Sequence, residues 1–468
     1  MESRNSKRIL ISCTVVIVVS CVILCLILSV AIGVSTIWPI DFSFLDSSLL
    51  PVDEQPVLID PDINDYLSPD SALPEHLAET IFEIERQVIS IRGLTLNAPI
   101  ERTMISADEL KEIVVNEFFS EYSDQDSEDD VLVLSLLGLL PENYDLIGLY
   151  RDLYSEQIAG FYESDEQKIY VVQGISFGGS EKLTYAHEFT HVLQDQVFNF
   201  DEGLKYNEDA CSEDSERCAA IQALIEGDAT FTELQWFENY ATRQDYRDLM
   251  DAIDTYESPI LDAAPPYIAE DLFFPYQKGL IFVEYLHDLG GYDAINQAYL
   301  HPPGSTTEIL HPELYPDHSP VNVSLPDLEN VLEPGWYLYD QNIMGEWYTY
   351  LILAQGYEEE LRLPDNVAEA AASGWDGDAY AFYLHEDSEE VIFLLDTYWE
   401  TPMDAEEFLD AFVDYADLRW SESGIHTTGF PIWSGSQGIV LMVLEGSRTV
   451  WMIAPSEEMI DLIAPLFE

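Results

Sequence analysis

Thr184-Tyr185-Ala186-His187-Glu188-Phe189-Thr190-His191-Val192-Leu193 contains H-E-x-x-H, and the rest of the chain is read outward from it. Residues four apart on a helix share a face, so both imidazoles can reach one ion. Glu188 is rotated about 100° from His187 and stands beside that point, where a general base for a metal-bound water belongs. Leu183, Ala186, Thr190, Leu193 and Val197 lie close to the histidine stripe. Two imidazoles among core-facing residues need a partner. The alternative is a pair of core histidines bonded to carbonyls. Ser180 is the expected N-cap, and the helix should run to about Phe198.

A catalytic zinc ion takes three protein ligands and keeps one open position. The metzincin extension fails, because position 194 is Gln and position 197 is Val. The third ligand therefore has to come from elsewhere. A second helix is expected over Cys218 to Tyr240, where Ile221, Leu224, Ile225, Phe231, Leu234 and Trp236 make a broad apolar face. Glu226 lies inside that stretch, and a carboxylate there needs a cation or a strong donor. Asp228 is about 200° around the helix, so only one of the two can face the metal, and Glu226 is favoured. Gly227 and Ala223 should let this helix approach the metal helix closely.

His187-Glu188-Phe189-Thr190-His191, followed by Glu226-Gly227-Asp228-Ala229, resembles gluzincin-type zinc metallopeptidases. More closely, it is similar to a family of uncharacterised exported bacterial proteins and lipoproteins with an H-E-x-x-H…E-G-D-A pattern. The similarity takes in Gly160-Phe161-Tyr162, Glu308 to Glu313 and Gly374-Trp375-Asp376-Gly377-Asp378, so it spans residues 145 to 420. The resemblance implies a helical zincin-like domain with zinc on His187, His191 and Glu226 and with Glu188 as base. It also implies that the strand before the metal helix pairs with an extended peptide. One departure is the 34-residue gap between His191 and Glu226, longer than in the best-known gluzincins. An insertion around Cys211 and Cys218 accounts for it. A transition-state oxyanion needs a donor besides the metal, and His311, Tyr315 and Tyr185 are the candidates.

Gly174-Ile175-Ser176-Phe177-Gly178 matches G-x-S-x-G, which keeps a serine hydrolase using Ser176 as a rival reading. The intervening Gly179-Ser180 and the helical stretch with a hairpin that precedes it argue for a glycine-rich loop instead. A third reading is a surface binding or structural protein whose zinc is only architectural.

The 468 residues carry 89 acidic and 18 basic side chains, for a net charge of -71. That balance repels nucleic acid and anionic lipid, so neither is an expected partner. Ile9 to Ile40 contains no charged residue and exceeds the ~20 apolar residues that cross a bilayer. Arg4, Lys7 and Arg8 before it, and Asp41 and Asp46 after it, put the N-terminus inside and the body outside. A cleaved signal, or lipoprotein processing at Val18-Val19-Ser20-Cys21, is the alternative. Cys211 and Cys218 are the two cysteines beyond the apolar run; they flank a polar acidic loop, and a local disulfide is expected rather than free thiols.

The chain accordingly divides into a basic tip and transmembrane anchor (1–40), a linker (41–75), a helical zincin-like domain (76–323) and a small α+β domain (324–468). The fold class is α+β, mainly helical. Helix is expected from Glu75 to Leu140, broken by an acidic loop at Glu121–Asp130, which loosely resembles a calcium loop but lacks its Gly and terminal Glu. A short β-hairpin follows over Gln157–Val172. Helix is expected again at Tyr276–Leu289, then a long ordered loop over His301–Pro320. The last part should hold a helix near Trp347–Leu361, strands at Ala379–Leu384 and Glu390–Thr397, and a helix at Asp404–Ala416. Strands at Gly438–Leu444 and Arg448–Ile453 and a terminal helix complete it. The function expected is a membrane-anchored extracellular zinc hydrolase, a metallopeptidase acting on a peptide or protein, with oligomeric state left open.

Overall fold

The computed structural model describes residues 73–467, apart from 107, 110–111, 114–121, 158–159, 165–166, 173–176, 256–257, 329, 389 and 421. The expected anchor, nearly all of the linker and Ser176 lie outside the described residues. Among the described residues, no helix is long and apolar enough to cross a membrane.

The first helix, α1 (Glu75–Arg92), buries Ile81, Ile84 and Val88, which three- and four-residue spacings put on one face, leaves Ile91 half-buried, and stops at Gly93 with φ 73°. The helical reading to Leu140 does not hold. The chain turns into a strand, β1 (Glu101–Ile105), before the next helix, α2 (Asp124–Leu136). Its acidic start, read as a loop, is the helix's first turns. Ser123 accepts from the Asp126 N–H and Asp126 accepts from the Ser123 N–H, and the carboxylates complement the helix dipole. After α3 (Leu146–Gln157) comes the hairpin β2 (Gly160–Glu163) and β3 (Lys168–Val172). The small sheet has the order β1-β3-β2, parallel between β1 and β3 and antiparallel between β2 and β3. The strand before the metal helix is therefore central and paired on both sides, and among the described residues the edges of this sheet are β1 and β2.

The metal helix, α4 (Gly179–Phe198), is capped at Gly178 rather than Ser180, with the Glu181 carboxylate accepting the Gly178 N–H. Val197 is exposed rather than part of the buried stripe. Next are α5 (Glu208–Glu213) and α6 (Ser215–Tyr240). The expected disulfide joins Cys211 and Cys218 (S–S 2.08 Å), but the segment between them is no loop: it is the end of α5 and the start of α6, hinged at Asp214. Two short helices, α7 (Arg243–Thr255) and α8 (Pro259–Asp262), lead to α9 (Pro266–Leu300), which begins ten residues before the predicted Tyr276 and bends at Gly290-Gly291. The close glycine approach is between α6 and α9, not α6 and α4. A Cβ on Gly227 would lie 2.2 Å from the Gly279 carbonyl carbon. The predicted long loop after it contains α10 (Thr306–Leu310) and a single turn at Pro312–Leu314.

The C-terminal part opens with β4 (Trp336–Asn342), α11 (Gly345–Ala354) and α12 (Asp365–Ala372). It continues with β5 (Trp375–His385), β6 (Val391–Trp399) and α13 (Pro402–Arg419). β7 (Glu422–Ile425), β8 (Pro431–Gly435), β9 (Gly438–Glu445), β10 (Arg448–Ala454) and α14 (Glu457–Ile463) complete it. The strands form an antiparallel sheet ordered β4-β5-β6-β10-β9-β8-β7. The sequence reading found β5, β6, β9 and β10 but missed β4, β7 and β8 at the edges, where one face or both meet solvent and the hydrophobic signal fades. One sheet face carries Phe382, Phe393 and Trp451 into the same core that holds Leu134, Phe274 and Trp347, so apolar packing continues across residue 324. The other face, with Ile392, Leu394 and Met452, is covered by α14.

Candidate metal centre

α4 and α6 pack side by side and bring His187, His191 and Glu226 together. One ligand atom from each lies within 4.8 Å of the others. His187 Nε2 is 3.1 Å and His191 Nε2 3.4 Å from the same Glu226 oxygen. All three side chains are buried. The choice between Glu226 and Asp228 resolves as helix geometry requires: Asp228 turns away and pairs with Arg92 (2.8 Å).

The electrostatics test whether this group fits an ion. Burial works against a charge on His187, yet the Glu233 and Glu226 carboxylates outweigh it and raise its pKa to about 10. His191 is raised too, Glu226 overcoming the same burial. Burial would raise Glu226, but the two imidazoles hold it down at about 2. The facing carboxylates raise both rings, and a divalent cation bound at this point would compete with protons for the same nitrogens. His191 Nε2 has no hydrogen-bond partner among the described residues, although it points at the cluster. The group could hold a metal ion.

Glu188, also buried, points one oxygen at the backbone: the Tyr162 N–H on β2 donates to Oε2 (2.9 Å). Oε1 has no hydrogen-bond partner among the described residues. Burial pushes the carboxyl up to about 7, against the lowering effect of the two histidines.

Two supporting residues escaped the sequence reading. Glu233 places an oxygen 3.2 Å from His187 Nδ1. It follows Glu226 by two helical turns, a spacing that could have found it. Gln194, noticed only as a departure from the metzincin pattern, accepts from His191 Nδ1 (2.9 Å).

None of the proposed oxyanion donors is hydrogen-bonded to this cluster. The Tyr185 hydroxyl donates to Glu85 (2.6 Å), which also binds Arg102 (2.7 Å), on another side of the helix. Tyr315 donates to the His301 carbonyl (2.8 Å). His311 Nε2 engages Glu346 (2.7 Å) at the start of α11.

That pair belongs to a second buried carboxylate group, where the C-terminal part meets the start of α6. Glu216 accepts from the Thr306 N–H (2.6 Å) and hydroxyl (2.7 Å). Asp378 accepts from Met344 N (2.7 Å), Gly345 N (3.0 Å) and Trp375 Nε1 (2.7 Å). Ten residues of helix, about 15 Å of rise, separate Glu216 from Glu226.

Residues 337–464, nearly the whole seven-stranded unit, match the family model of a domain of unknown function, DUF8575. The match leaves out the helices that carry the metal group. No curated protein and no solved structure matches the chain.

Proposed function

We propose that this protein is a zinc-dependent hydrolase, a metallopeptidase anchored to the membrane with its body outside. The observation that carries the reading is Glu188: a carboxyl one residue from a metal ligand, with a pKa near 7 and one unpartnered oxygen. A purely architectural ion has no use for such a group. Two imidazole nitrogens and one carboxylate oxygen suit zinc rather than calcium or magnesium, which prefer oxygen donors. Zinc held by His187, His191 and Glu226 would supply Lewis-acid polarisation and lower the pKa of water. Glu188 would accept the attacking water's proton at Oε1 and return it to the leaving amine nitrogen. The Tyr162 N–H would hold the carboxylate in place meanwhile. The choice of a peptide bond rests on the likeness of the motif to gluzincins, and the outer-face location on the charge pattern around the apolar run and the Cys211–Cys218 bridge.

The test is Glu188→Gln in the full chain. Hydrolysis of an unstructured protein such as casein should fall by ~100-fold or more. Zinc content should stay at the wild-type level. Full activity in this variant refutes the mechanism. The complete burial of the ligands favours one rival, an architectural ion; it prevails if zinc-loaded wild type cleaves nothing. Chelation separates both from a serine enzyme, whose activity would survive it.

A further inference from the structure

We infer that Gln194 is a positioning residue for His191, and that Asp228 and Arg92 act on the metal centre through it. This rests on the assignment of His187, His191 and Glu226 as ligands.

Gln194 Nε2 donates to the Ile225 carbonyl (3.0 Å) and to Asp228 Oδ2 (2.9 Å). A carbonyl can only accept, and so can an ionised carboxylate. Both amide hydrogens are therefore committed, and the amide cannot flip without setting its oxygen against two acceptors. Its Oε1 is left facing His191 Nδ1 at 2.9 Å, so that nitrogen must carry the hydrogen. The lone pair of His191 is then on Nε2, which points at Glu226 and His187.

Asp228 also accepts from the Arg92 guanidinium (2.8 Å) and the Tyr299 hydroxyl (3.0 Å). Arg92 is fully buried at the end of α1, with its flat face over the Tyr292 ring (4.9 Å) and Nη1 on Asn296 (2.8 Å). An arginine this deeply buried needs its counterion. The chain of contacts thus runs from the last residue of α1 to one face of the metal centre. His187 is held differently, with the Glu233 carboxylate beside its Nδ1. One ligand ring leans on an anion and the other on a neutral amide, itself fixed by an ion pair.

The experiment measures zinc affinity by competition with a chromophoric chelator, and the absorption spectrum of the cobalt(II)-substituted full chain. Gln194→Met keeps the volume and removes the acceptor. It should bind zinc roughly 10–100-fold more weakly and shift the cobalt spectrum. Gln194→Glu keeps an acceptor at Nδ1 but sets its second oxygen against the Ile225 carbonyl and Asp228, so alone it should also weaken zinc, and adding Asp228→Asn should recover part of that loss. Asp228→Asn alone should weaken zinc, yet add nothing to Gln194→Met in the double variant. Wild-type affinity and spectrum in Gln194→Met, or additive losses in the double variant, overturn the inference. Should the substituted chains not fold, zinc-loaded wild type decides by nitrogen-15 NMR of labelled histidines. His191 must show the hydrogen on Nδ1 and none on Nε2; a hydrogen on Nε2 overturns the inference. A wild-type chain that binds no zinc defeats the proposed function instead, which keeps the two failures apart.

Discussion

Helix α6 buries Glu216, Glu226 and Glu233, and the first two, ten residues apart, are shifted in opposite directions. Glu226 faces two imidazoles and is kept ionised, at about 2. Glu216 faces a backbone N–H and a threonine hydroxyl, with Asp378 nearby, and burial pushes it well above the ordinary carboxylate range. Depth is the same at both ends, since each side chain is buried. What differs is whether the surroundings supply positive charge or neutral donors. A buried acid therefore marks a metal site only where its neighbours are themselves ligands. Elsewhere it is a hydrogen-bonded peg that joins two parts of the fold.

The largest consequence concerns metal. Glu226→Gln should cost the protein well over ~100-fold in zinc affinity, more than loss of a supporting residue does. Glu216→Gln keeps an acceptor for Thr306 and lies about 15 Å of helix from the ligands, so zinc affinity should stay within a factor of three. Equilibrium dialysis against zinc compares the two directly. A comparable loss in Glu216→Gln would mean that the two ends of α6 are one site, and the contrast would be wrong.

The two regions should also answer pH with opposite signs. At the metal centre protons and zinc compete for the same atoms, so affinity falls as pH falls. In the C-terminal part Asp378 is pushed to about 6 and Asp340 to about 7, and Asp130 of α2, which accepts from the Tyr339 hydroxyl, is pushed to about 7, all by burial. A raised carboxyl binds its proton more tightly in the folded chain than in the unfolded one. Its contribution is complete below the ordinary value near 4 and is lost as pH rises through 6 to 7. Calorimetry of the chelated protein should show the thermal midpoint dropping by several degrees from pH 5 to pH 8, while zinc uptake climbs. The net charge of -71 pushes the same way, so the control is Asp130→Asn, which should flatten part of the slope. An unchanged slope in that variant would leave surface repulsion as the whole cause.

The metal group was legible because its signal is short-range: H-E-x-x-H is one helical face, and Glu226 stands out as a charge in an apolar stretch. The disulfide was equally legible, with two cysteines left to pair. The supporting atoms were not, because Arg92, Gln194, Asp228 and Tyr299 come from four separate stretches of chain. Their meaning appears only when α1, α4, α6 and α9 pack. The acidic start of α2 misled for the opposite reason. Asp124, Asp126 and Asp129 look like a solvated loop by composition, while the capping box at Ser123 makes them a helix. Glu216 was hidden in the same way, within a polar run that turned out to begin α6.

The smallest effect sharpens the contrast most, because His311 was a candidate for one region and is bonded into the other. A group that donates to a developing oxyanion costs roughly 100- to 1,000-fold in turnover when removed. His311 instead spends Nε2 on Glu346, and that hydrogen bond, more than the opposing burial, raises its pKa. Glu346 follows Gly345, whose φ of 74° and missing Cβ leave room for the Glu216 carboxylate. The ring is thus tied to the peg end of α6, about 15 Å of helix away from the ligand end. His311→Gln can still donate to Glu346, and it should change turnover by less than threefold while leaving zinc affinity alone. A loss of 100-fold with zinc still bound would show that the loop swings its ring to the substrate, making the two regions partners in one reaction.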